Sequence, residues 1–102
     1  MEEKYPPTKI VKDLLDRGIV EFLEEYQEVD EFVEIRYIVK PNYIIISTAP
    51  EFGRPIRIKY VSEVFNQKKE CICYTVFLFE SCEWQEDVTL TPETMIVYKA
   101  LV

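Results

Sequence analysis

Residues 70–80 read E-C-I-C-Y-T-V-F-L-F-E, and the nine between the two glutamates carry no charge, glycine or proline. Their β-branched and aromatic content, at that length, predicts a strand rather than a helix. Alternation sets Cys71, Cys73, Thr75, Phe77 and Phe79 on one face and Ile72, Tyr74, Val76 and Leu78 on the other. Neither face is polar, so this strand belongs deep in a sheet with cover on both sides. The rest of the chain has to supply that cover, or leave apolar sheet for a partner.

The composition agrees with a sheet-rich domain. Ile and Val number eleven each, against six Leu and two Ala. A chain of 102 residues is one domain, long enough to bury about two-thirds of its unfolded surface without staples. No apolar run approaches the ~20 residues of a membrane span. Met1 to Lys4 is charged and opens no apolar segment, so neither signal peptide nor membrane is expected, and the expected location is cytoplasmic.

Before the strand, Ile10, Val11, Leu14, Leu15, Ile19, Phe22, Leu23 and Tyr26 follow a helical stripe interrupted at Gly18. One long helix with a weak point, or two helices meeting near Gly18, both fit. Glu21, Glu24, Glu25 and Glu28 then form an outward acidic ridge. Residues 1–34 hold eleven acids and four bases, so the whole net charge of −7 lies there. Such a surface repels nucleic acid. Its ordinary reading is a solvated face.

Residues 32–40 and 43–49 flank Pro41-Asn42 and predict a hairpin with a two-residue turn. In that register Val39/Ile44, Tyr37/Ile46 and Ile35/Thr48 form the core face. Ile38, Ile45 and Tyr43 form an apolar island on the other, polar face. Residues 50–55 are a linker. Residues 56–67 read as a strand-like lead-in followed by a short helix, and 81–92 as a loop holding Trp84. Residues 92–102 admit a strand, or a helix started by Thr91-Pro92-Glu93. Segments 8–49 and 55–102 then share a helix-strand-strand layout. The expected fold is α+β: two such halves forming a mostly antiparallel sheet, with helices mainly on one face and a groove or seam between the halves.

Chemistry is sparse. With no histidine, the commonest general base and all Ser-His or Cys-His nucleophiles are absent. Two glycines exclude the usual phosphate loops. Cys71, Cys73 and Cys82 fall short of a four-ligand zinc site. Either of the first two could bridge to Cys82, or all three stay free thiols. Arg54, Arg57 and Lys59 read as ion-pair partners for the acidic ridge. Neither enzyme activity, cofactor nor metal is expected. The expected function is binding a partner protein or peptide, or a second copy, through the apolar sheet face or the groove. The site residues are Ile38, Tyr43, Ile45, Phe52, Trp84 and Tyr98. The alternative is an acidic nucleic-acid mimic using Glu21, Glu24, Glu25, Glu28, Asp30, Glu31 and Glu34 against a basic protein.

Two Asn, three Gln and no His stand against abundant Ile, Val, Tyr, Glu and Lys, a hyperthermophile's balance. With its length and doubled helix-strand-strand layout, the chain resembles the small orphan proteins of filamentous viruses infecting hyperthermophilic archaea, of the Acidianus filamentous virus type. The resemblance implies host-cytoplasm location, no enzymatic activity, no cofactor and protein–protein contact. It carries over no functional residue.

Overall fold

A computed structural model describes residues 5–29 and 31–99, without the side chains of Glu28, Tyr98 and Lys99. Its organising element is a strand of ten residues, Ile56–Phe65. Taken in chain order, helix α1 (Lys9–Asp16) precedes β1 (Val20–Glu28), β2 (Phe32–Val39) and β3 (Tyr43–Ser47). The long strand is β4, followed by β5 (Cys71–Leu78), β6 (Trp84–Val88) and β7 (Met95–Lys99). All seven strands join one antiparallel sheet, so the fold is α+β with the sheet dominant.

One edge of β4 carries β5, with β6 beyond it. The other edge carries two strands end to end. Val33 to Ile38 of β2 pair with Phe65 to Tyr60, and Ile45 to Ser47 of β3 pair with Ile58 to Ile56. Both strands therefore run in the same direction, and the expected hairpin across Pro41-Asn42 does not form. The Tyr43 amide donates to the Lys40 carbonyl at 3.0 Å, closing a turn that shifts the chain sideways and returns it to the same edge. Behind β2 lies β1, and behind β3 lies β7. The sheet thus forks at the middle of β4.

The amino-terminal helix is shorter than its apolar stripe suggests. Gly18 takes φ 72°, the Gly18 amide donates to Leu15 O at 3.0 Å, and the Ile19 amide to Leu14 O at 2.9 Å. That pair of bonds is a Schellman stop, which needs a residue tolerant of the left-handed region. Val20 then begins pairing with Val39, so Phe22, Leu23 and Tyr26 lie on a strand, and the acidic stretch is an edge strand rather than a helical ridge. At its other end α1 is pinned from below. The Thr8 amide donates to Glu63 Oε2 at 2.6 Å, Tyr37 Oη to Glu63 Oε1 at 3.3 Å, and Tyr74 Oη to Thr8 Oγ1 at 3.0 Å. Glu63 is fully buried, and the Thr8 amide and Tyr37 hydroxyl offset its lost hydration.

Residues 56–67 contain no helix: all of Ile56–Phe65 is strand. Every residue from Val61 to Phe65 is buried, which hides the alternation from a reading by period. The Asn66 side chain accepts from the Lys68 and Glu70 amides at 2.9 and 3.0 Å and turns the chain into β5. That strand is interior, as its composition predicts, between β4 and β6. Trp84–Val88 is a strand rather than a loop, and 95–99 is the strand alternative, entered by a 3-10 turn at Pro92–Thr94. The second half therefore holds no α-helix among the described residues, unlike the layout expected for it.

The inner face gathers Val33, Ile35, Tyr37, Ile45, Ile56, Ile58, Val61, Phe65, Val76 and Leu78, all buried, with Val11 and Leu14 of α1 in the same cluster. No helix of the described residues is long and apolar enough to cross a membrane.

Candidate functional site on the outer sheet face

The residues of β2 that do not face the core, Glu34, Arg36 and Ile38, lie in register with Val64, Ser62 and Tyr60 of β4. Beyond these come Cys73, Thr75 and Phe77 of β5, and Trp84 beside Phe77. Pairing across strands therefore assembles an outer face whose centre is a cation. The Arg36 guanidinium lies 4.4 Å from the centre of the Tyr26 ring and 4.7 Å from that of Trp84. Its Nη1 is 3.2 Å from Glu24 Oε1 and its Nε 3.3 Å from Glu34 Oε2. Thr75 Oγ1 donates to the same Glu34 oxygen at 3.4 Å. Only 16% of the Arg36 side chain is exposed, so these contacts are far less screened than a surface pair.

From Trp84 an aromatic cluster continues. Phe77 meets it edge-on at 5.2 Å, Tyr60 lies at 6.0 Å, and Tyr60 and Phe77 are 5.4 Å apart. Lys59 Nζ sits 5.4 Å from the Tyr60 ring and 5.9 Å from that of Phe79, and the Arg57 guanidinium 4.9 Å from Phe79. The face is thus a continuous row: Arg36 bridges Tyr26 and Trp84, Trp84 packs against Tyr60, Lys59 bridges Tyr60 and Phe79, and Arg57 lies over Phe79. Cation–π contact holds such rows in shape.

Of the residues singled out from sequence, Trp84 and Ile38 come together here, Ile38 beside Tyr60. Ile45 does not: it is fully buried on the inner face, because β3 pairs with β4 and not with β2. Tyr43 and Phe52 pack partly buried against the core. The Tyr98 side chain lies outside the described residues. Tyr26, Arg36, Tyr60 and Phe77 were missed, since only cross-strand register brings them together. Arg57 and Lys59 lie over rings, while the ridge residue Glu24 takes Arg36.

A second concavity of about 810 Å³ opens between α1 and the 92–97 segment, lined by Ile10, Leu14, Tyr74, Met95 and Val97 among others. Cys71, Cys73 and Cys82 are free. Burial, helped by the Glu63 charge, pushes the Cys71 thiol up to about 11, and burial with Asp87 raises that of Cys73. Both are therefore poor nucleophiles at neutral pH. Among the described residues no three His, Cys, Asp or Glu converge on a metal position.

No family model, no curated protein and no solved structure matches this chain.

Proposed function

We propose that the chain is a non-enzymatic protein-binding module that engages a partner protein or peptide through its outer sheet face. The observation that carries this reading is the row of Tyr26, Arg36, Trp84, Tyr60 and Phe77. Trp, Tyr and Arg are the residue types that dominate binding energy at interfaces. Here five strands and their pairing hold them in place before any partner arrives, which lowers the entropy lost on binding. The exposed ring of Phe79 extends the surface.

The acidic-mimic reading has less behind it. Glu24 and Glu34 are tied to Arg36, and Glu24 and Glu25 sit on opposite sides of β1. A phosphate row would need free carboxylates on one side. The resemblance to small proteins of viruses of hyperthermophilic archaea agrees with this reading and implies a place in the host cytoplasm.

The test is selection of peptides from a displayed library on the immobilised chain, followed by affinity measurement at low and high salt. The proposal predicts peptides whose affinity changes little with salt. Binding that collapses as salt rises favours the mimic instead, and failure to enrich any peptide contradicts the proposal.

A further inference from the structure

The outer face ends at β1, and among the described residues nothing pairs with the far edge of that strand. Among the described residues three edges are open: β1, β6 and β7. In β6 the residue Asp87 takes φ 57° where the pairing with β5 slips, and β7 spans five residues. β1 spans nine, and after a bulge at Leu23 the run from Glu24 to Glu28 stays in unbroken register with β2. An edge of that kind presents a regular row of backbone donors and acceptors, the template for an added strand.

The side chains flanking this row are selective. Phe22 is 60% exposed, and Leu23 and Tyr26 are also open to solvent. The strand reads V-E-F-L-E-E-Y-Q-E, with four glutamates and no base. Two copies joined edge to edge through β1 set like charges against each other, which opposes self-pairing. A strand bearing lysine or arginine meets the opposite charge. Glu21 and Glu25 are exposed, whereas Glu24 is already engaged by Arg36.

Resting on the reading of the chain as a binding module but using the β1 edge, which shares Tyr26 with the outer face, we infer that β1 captures an extended basic segment of a partner protein by strand addition. Lysine or arginine side chains of that segment meet Glu21 on the outer face and Glu25 on the inner one, since the bulge at Leu23 puts the two on opposite sides of the strand. Its apolar side chains lie along Phe22 and Tyr26, and its backbone completes the ladder that β1 leaves open.

The probe is a short capped peptide, Val-Lys-Thr-Val-Lys, whose two lysines fall on opposite faces as Glu21 and Glu25 do, titrated while amide hydrogen exchange is followed. Saturable binding is expected, with new protection at outward amides of β1. Methylating the peptide's alternate backbone nitrogens should abolish it, and Glu21→Lys with Glu25→Lys should weaken it by about tenfold. Trp84→Ala reaches β1 through Arg36 and should weaken it far less than the charge reversal does, with the β1 protection kept. Loss of binding on Trp84→Ala without β1 protection puts the peptide on the outer face, overturning the edge inference while the module reading stands. No binding at all, or binding indifferent to backbone methylation, also overturns it.

Discussion

The Arg36 guanidinium and the Trp84 ring meet at 4.7 Å, although β2 and β6 are separated in the sheet by β4 and β5. Two long side chains therefore form a roof over the intervening strands. Beneath it, Ser62 of β4 and Thr75 of β5 are buried on a face that would otherwise be open to water. Thr75 has Glu34 for its hydroxyl. Ser62 Oγ has no hydrogen-bond partner among the described residues.

An unpaired buried hydroxyl destabilises, so Ser62→Ala should leave the fold as stable or raise stability by about 1 kcal/mol. Urea unfolding measures it. A loss of stability would mean that the hydroxyl is satisfied in solution.

Ile38 and Ile45 look equivalent in sequence and differ completely in the fold. Ile45 is fully buried between Ile58 and Val97 partners. Ile45→Ala should cost roughly 2–5 kcal/mol, and Ile45→Lys should prevent folding. Ile38 is half-buried, so Ile38→Ala should cost clearly less. Paired denaturation curves for the two alanine variants check the ranking, and equal losses would contradict the forked sheet.

This pair also marks where sequence reasoning stops. β5 was legible because nine apolar residues admit few alternatives. Gly18 was legible as a break, but what followed was not. Phe22, Leu23 and Tyr26 satisfy helical spacing, and only pairing with β2 makes them a strand. Lys40-Pro41-Asn42 is chemically the same turn whether the chain doubles back or steps sideways along β4. Ser62 and Glu63 disguised β4, since buried polar groups break the apolar alternation. At the candidate site Trp84 stood out by type, while Tyr26, Arg36 and Tyr60 became a site only through register.

Cys71 gives the fold a pH dependence. Its thiol is raised to about 11 by burial and by Glu63, from an unfolded value near 9.0. The unfolded chain loses this proton first, so stability is complete below pH 9 and falls as pH rises toward 11. Tyr74 is raised by burial as well and acts in the same direction. Urea midpoints at pH 7 and pH 10 should decrease in that order, with a Cys71→Ser variant showing a smaller drop. Midpoints indifferent to pH would contradict the burial of these groups.

A chain with a hyperthermophile's composition should be hyperstable. Thermal unfolding is expected above about 90 °C, against roughly 45–65 °C for mesophile domains. Calorimetry decides it, and a transition in the mesophile range contradicts the proposed origin.

The outer face is tested most directly by the affinity of a library-selected peptide for the native chain and for the Trp84→Ala variant, both shown folded by circular dichroism. A central hot-spot residue is worth about 2 kcal/mol or more, so the dissociation constant should rise about thirtyfold or more. An unchanged constant would place the binding surface elsewhere and contradict the account.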